Sequence, residues 1–337
     1  MIYDMTTSNE YFIKMSLFLK KQRIKNNNFF LALLDEDLIG INPRDPNLDT
    51  EQKRKILAEC KNNYWYFLRE IVKVPSVDND EGEQYPLNRG LLAFNYCLCN
   101  NISTMVDLPN HVGKYLTVDI RLLWEYLMCT ESKAVLFDRK HDDTLQHLNG
   151  RIKPLYRLLP DYMRVKDICE DKTKFIRSGD SCIEVGKKAK SIQSADIIGR
   201  SLTYNRQVFC DFSDLEYNKN IFFASRPPYT LSSVLASDNN TPYGTILLSN
   251  GGNLGKKSGK FAYELKEQLY KFDEKFYDLS IDQLISIIES NSSHSMLYIS
   301  YTILELSKSD DWITRRLRML NYNWQEFMRD AFITYSE

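Results

Sequence analysis

Apolar positions along the chain follow two periods. Residues 51–74, EQKRKILAECKNNYWYFLREIVKV, place them three and four apart, which predicts an amphipathic helix interrupted near Asn62 and Asn63. LNRGLLAFNYCLCNN at 87–101 predicts a second helix, and 120–128, IRLLWEYLM, lies in a third. Short apolar runs bounded by polar residues predict buried strands at 102–108 (ISTMVDL), 133–138 (KAVLFD), 206–212 (RQVFCDF) and 242–250 (PYGTILLSN). KFIRSGDSCIEVG at 174–186 alternates around SerGlyAsp and reads as a hairpin. Helical patterns separate the strands at 142–159 and 229–237, so an α/β fold with a mainly parallel sheet flanked by helices is expected. From residue 259 onward the pattern reads as helix almost throughout, MLYISYTILELS at 296–307 included. The expected organisation is an N-terminal extension over 1–50, a core over 51–264 and a C-terminal helical subdomain over 265–337.

Composition narrows the class only a little. Lys and Arg number 44 against 45 Asp and Glu, so no global basic field marks a nucleic-acid binder. The local basic runs GKKAK at 186–190 and WITRRLRML at 312–320 are candidates for a DNA backbone or an acidic partner. No segment has eighteen consecutive apolar residues and no secretory leader pattern opens the chain, so an intracellular protein off the membrane is expected. The seven cysteines are scattered without a CxxC pair, and the four histidines are spread between His111 and His294. Spacing therefore predicts small core thiols and no zinc site.

The stretch 104–118, TMVDLPNHVGKYLTV, is where chemistry is expected. It reads as a buried strand, a short turn and a helix start, the setting in which backbone N–H groups and a lysine wrap a polyphosphate. Gly113 and Lys114 stand where such a loop ends. Leu108 replaces the glycine five residues earlier, and Tyr115 replaces the Ser or Thr that would hold Mg²⁺.

The order of segments beyond the loop resembles the N-terminal ATPase domain of bacteriophage terminase large subunits, over about residues 60–330. NNYWYFLREIVKVP and YPLNRGLLAFNYCLCNNIS resemble the segment leading into that family's nucleotide site. LPNHVGKYLTV resembles its phosphate loop, commonly Pro-Arg-Gln, a variable residue, then Gly-Lys-Thr. The segment 133–163 resembles the strand and helix that follow, and SADIIGRSLTYNRQVFCDF resembles the run into the acidic motif. GTILLSNGGNLGKKSGKFAYEL resembles the coupling segment. The resemblance implies ATP and Mg²⁺ as cofactors, with Asn110, His111, Val112, Gly113, Lys114, Tyr115 and Arg200 around the nucleotide and Asp211 holding the metal.

Departures accompany the matches. The family's loop arginine and glutamine fall at Asn110 and His111, and loss of that guanidinium implies about a 10³-fold or greater loss of rate. Phe212 stands where the water-orienting glutamate belongs, a loss of about 10² to 10⁴-fold. Asp214 and Glu216 are the carboxylates that could replace it. SNGG at 249–252 lacks the family's Thr-Pro. With the fold kept, Tyr115 and Phe212 are expected to point into the phosphate cavity, and Thr117 to turn away from the ion. The family continues into an RNase H-type nuclease, whereas this chain ends at TYSE, so no nuclease is expected on it. The resemblance implies viral DNA packaging in the host cytoplasm or on the virion, with portal, terminase subunits and double-stranded DNA as partners. Three functions are compatible with it: a degenerate ATPase domain kept for binding, a working divergent motor, or a structural virion protein reusing the fold.

Overall fold

The computed structural model describes residues 2–76, 78–165, 168–177 and 181–336. Its centre is a nine-stranded sheet: β1 (Ser103–Asp107), β2 (Lys133–Phe137), β3 (Ile168–Glu170), β4 (Lys174–Arg177), β5 (Cys182–Val185), β6 (Arg206–Phe209), β7 (Gly244–Ser249), β8 (Tyr270–Lys271) and β9 (Met296–Ser300). The spatial order is β8-β9-β1-β7-β6-β2-β5-β4-β3. Every pairing from β8 to β5 is parallel, and only β5–β4 and β4–β3 are antiparallel. The hairpin expected at 174–186 is thus β4–β5, with its SerGlyAsp turn outside the described residues.

Central strands covered on both faces read as unbroken apolar runs. All five residues of β1 and all six of β7 are buried. Alternate side chains serve opposite cores, as the period of two requires. Val106, Val208, Ile246 and Leu248 join the core under α3 (Arg89–Cys99) and α4 (Lys114–Met128). Met105, Phe209 and Leu247 join the other, covered by α6 (Ile192–Arg200), α7 (Asn218–Asp238) and α8 (Lys257–Lys266). Between β2 and β3 the chain forms α5 (His141–His147), which runs through a π turn at Leu148–Ile152 into the short helix Lys153–Arg157.

A buried charge cluster fastens α4 to β6. Glu125 Oε1 accepts from Arg121 Nε at 2.7 Å and from Arg206 Nη2 at 2.6 Å, with all three side chains almost wholly buried. Burial works to raise the Glu125 pKa, but the two guanidiniums outweigh it and hold the carboxylate below its ordinary value.

The N-terminal residues wrap the α3–α4 face. The first helix is α1 (Glu10–Lys21), capped by Asn9. The interruption expected at Asn62 and Asn63 is real: α2 (Thr50–Asn62) ends there, and Asn63 caps the next turn through the Tyr66 amide. Two expectations fail. MLYIS at 296–300 is strand β9, not helix: a five-residue apolar run fits either state, and its place beside β1 decides for strand. TILELS after it forms turns. The helix expected at 229–237 begins eleven residues earlier, at Asn218, and carries Pro227 and Pro228 inside it. Proline removes ladder donors without forbidding a helix whose other turns are packed.

Helix α9 (Ile281–Asn291) precedes β9, whereas α10 (Asp310–Met319) and α11 (Trp324–Phe332) follow it. Residues Tyr335–Ser336 then pair in parallel with Gly252–Asn253. This C-terminal strap has its own small core of Ile303, Phe327 and Ala331. No described helix is long and apolar enough to cross a membrane.

Candidate functional site

Ligands of open parallel sheets bind beyond the carboxyl ends of the strands. Four such ends meet here: Leu108 to Gly113 after β1, Asp138 after β2, Cys210 and Asp211 after β6, and Asn250 and Gly251 after β7. Gly113 opens α4 at φ 104°, a conformation other residues resist, and a Cβ there would lie 2.8 Å from a Leu91 methyl. The loop is therefore built as a strand-turn-helix connection with its N–H groups at the helix start.

The expected ligands are present, and the chain itself engages them. Lys114 is buried, and its Nζ donates to the Leu108 and Ser249 carbonyls, both at 2.6 Å. Burial lowers its pKa to about 8 against the pull of Asp211, Asp107 and Asp330. The Tyr115 hydroxyl donates to Asp211 Oδ1, so the carboxylate expected to hold Mg²⁺ faces a phenol from the residue that replaces its Ser or Thr partner. Asp211 itself sits at φ 46°. The Asn110 amide donates at 2.8 Å to Asp330 Oδ1, and Arg316 Nε donates to the other oxygen of that carboxylate. An internal anion from α11 thus sits on the phosphate loop. Val112 is buried and accepts at its carbonyl from Asn88 at 3.1 Å. His111 occupies the left-handed region at φ 61°; burial and the nearby Arg316 lower its pKa.

The remaining predicted residues separate from this centre. Phe212 does not enter the phosphate region. It is fully buried among Phe209, Phe222 and Phe261, because one residue beyond Asp211 the backbone has turned its side chain under the sheet. Thr117 is bonded to the Gly113 carbonyl and to Tyr85. Asp214 pairs with Lys256 at 2.8 Å and Arg329 at 3.4 Å, while Glu216 is exposed. Arg200 is exposed in the last turn of α6. In the GKKAK run the three lysines are exposed, whereas in the 312–320 arginine cluster Arg316 is committed to Asp330.

Sequence reasoning missed three groups. Asp107, at the end of β1, is fully buried and accepts at Oδ2 from Tyr298 at 3.0 Å and Tyr335 at 2.9 Å. Burial raises its pKa, opposed by the two tyrosines. A charge closing an apolar run was the signal available. Asp330 stands on the apolar stripe Phe327–Asp330–Ala331 of α11, a misplaced charge that was equally visible. The third group joins Asp138, His147 and Cys210, whose potential ligand atoms lie within 4.8 Å of one another. Burial opposes charge on His147, but Cys210 and Asp119 outweigh it and raise its pKa well above the ordinary value.

No family model and no curated protein matches the chain in sequence. Solved structures do match in shape. A mutant of the Thermus phage P74-26 large terminase ATPase domain aligns over 74% of this chain and 95% of its own, at 12% identity and a TM-score of 0.51. The fold is that of a phage large terminase ATPase domain. The unmutated P74-26 domain aligns over 74% and 93% of the two chains, at 12% identity and a TM-score of 0.48. The HK97 bacteriophage large terminase aligns over 79% of this chain and 53% of its own, at 12% identity and a TM-score of 0.47. In this chain the strap brings Asp330 and Arg316 to the loop at Asn110, and Tyr335 to Asp107 just before it.

Proposed function

We propose that the chain is a terminase large subunit-like protein of viral DNA packaging whose nucleotide site is closed by its own side chains. It acts by binding a motor subunit, the portal or double-stranded DNA, without hydrolysing ATP. One observation carries the reading: three of the groups that would meet Mg²⁺-ATP, the Lys114 ammonium, the Asn110 amide and the Asp211 carboxylate, already have internal partners. Lys114 is held by two carbonyls, the Asn110 amide by the Asp330 carboxylate, and Asp211 by the Tyr115 phenol. A phosphate reaching the Asn110 amide would have to displace the Asp330 carboxylate, which Arg316 also holds in place. As arranged, the residues do not fit Mg²⁺-ATP.

Calorimetry with ATP, with and without Mg²⁺, alongside phosphate release in the presence of DNA, tests this. Neither binding nor release is expected. Release that Lys114→Ala abolishes would overturn the proposal and establish a working divergent motor. One observation favours that second reading: the strap packs on a small core of its own, so it can lift without unfolding the sheet. Asp214 or Glu216 would then have to serve as the catalytic carboxylate.

A further inference from the structure

We infer that the carboxyl ends of β2 and β6, together with α5, form a binding site for one soft divalent cation, Zn²⁺, ligated by Cys210 Sγ, His147 Nε2 and the Asp138 carboxylate. The sheet register itself brings two ligands together. Phe209 of β6 pairs with Phe137 of β2, and the Cys210 amide donates to the Phe137 carbonyl at 2.7 Å, so Cys210 and Asp138 leave the sheet side by side. His147 arrives from α5, the helix that β2 leads into, with Nε2 at 3.8 Å from Asp138 Oδ2. Tetrahedral zinc bonds of about 2.0–2.3 Å place neighbouring ligand atoms roughly 3.3–3.8 Å apart. The three atoms, all within 4.8 Å of one another, need only close slightly around an ion.

Orientation supports the assignment. His147 Nδ1 lies 3.0 Å from Asp119 Oδ1, the carboxylate–histidine contact that fixes the orientation of a metal-ligating imidazole. Asp119 comes from α4 and is fully buried, and its second oxygen has no hydrogen-bond partner among the described residues. Other groups face the site. Arg151 Nη1 is 3.2 Å from His147 Nε2, yet Arg151 is an exposed residue on a long side chain whose guanidinium also lies over the Tyr115 ring. It must swing aside for the ion. Asp211, beside Cys210, adds negative potential at Asp138.

Thiolate and imidazole donors select zinc over magnesium, which requires oxygen ligands in octahedral geometry. The site is therefore distinct from the Mg²⁺ position that the resemblance implies at Asp211, and it does not depend on the nucleotide reading. Sequence spacing gives no sign of it, since the ligands come from residues 138, 147 and 210.

The test is titration of the chelator-treated full chain with Co²⁺, without nucleotide. One Co²⁺ per chain is expected, with tetrahedral d–d bands and a thiolate-to-metal charge-transfer band that Zn²⁺ removes and excess Mg²⁺ does not. Cys210→Ala should abolish the charge-transfer band, and His147→Gln should weaken binding at least tenfold. Cys99→Ala, at a half-buried thiol outside the cluster, should leave the band intact. Absence of the band in the wild type, or an undiminished band in folded Cys210→Ala, overturns the inference. Should Cys210→Ala not fold, Asp138→Asn decides: unchanged Co²⁺ affinity overturns the site, and a loss of tenfold or more supports it.

Discussion

At the residue scale, the phosphate loop is defined by where single charges find their partners. Lys114 is the clearest case. In the unfolded chain its ammonium titrates near 10.5, and in the fold near 8, because burial disfavours the charge more than the neighbouring carboxylates favour it. Below about 8 both states hold the proton and the penalty is constant. Between 8 and 10.5 the unfolded state holds it more tightly, so stability rises with pH, by about 3 kcal/mol for the whole shift. Urea midpoints of the wild type and Lys114→Met, compared across that range, should diverge in favour of the wild type as pH rises; a constant difference would show that Lys114 titrates normally. Asp330 makes a second case. Asp330→Asn leaves Arg316 buried and uncompensated, which for such pairs costs about 3–5 kcal/mol. Because the strap has a separate core, this loss should appear as local opening. Amide hydrogen exchange over 324–336 and at Asn110 is expected to quicken at least tenfold, while β7 amides stay protected.

At the element scale, two devices hold the site in shape. One is the Arg121–Glu125–Arg206 cluster between α4 and β6, which sets the helix behind the phosphate loop against the strand that ends in Asp211. Glu125→Gln removes the charge that both guanidiniums share, and a fall in unfolding free energy of about 3–5 kcal/mol is expected from denaturant titration at neutral pH. The Glu125 pKa is lowered in the fold, so its contribution is complete above the unfolded value and is lost as pH falls through the folded one. The wild type should therefore converge on Glu125→Gln in acid. The other device is the approach of the strap to the loop after β7. Gly251 sits at φ 82°, and a Cβ there would come within 2.3 Å of the Thr334 carbonyl. Gly251→Ala should release Tyr335–Ser336 from Gly252–Asn253, at a cost of about 1–3 kcal/mol. The check is exchange at the Leu254 amide, which now donates to the Ser336 carbonyl at 2.9 Å; protection equal to wild type would show that the strap tolerates the methyl.

At the scale of the whole molecule, the same sheet gathers the Gly113-Lys114 loop, a carboxylate strand end and a Cys-His-Asp group at one edge, because every parallel strand delivers its C-terminal residue to that edge. Much of this was legible in the chain. The buried strands that became β1, β2, β6 and β7 announced themselves by unbroken apolar runs, and Gly113-Lys114 marked the loop by the conformational freedom of one and the charge of the other. The replacements at Tyr115 and Phe212 were legible as chemistry but not as geometry. Tyr115 turned to Asp211, whereas Phe212 turned into the core, and one residue of strand or turn separates those outcomes. MLYIS could not be assigned, since five apolar residues satisfy either period and only the open edge of β1 made them a strand.

The sequence by itself determined the alternation of strands and helices, the place of the Gly113-Lys114 loop and the aromatic residues at 115 and 212, because these depend on periodicity and residue type within short windows. The tertiary structure alone decided which groups meet. Asp330 reaches Asn110 across 220 positions, Tyr335 reaches Asp107 across 228, and Cys210 reaches Asp138 through the register of two strands. Such contacts follow from packing that lowers the free energy of the whole sheet, and no local pattern encodes them.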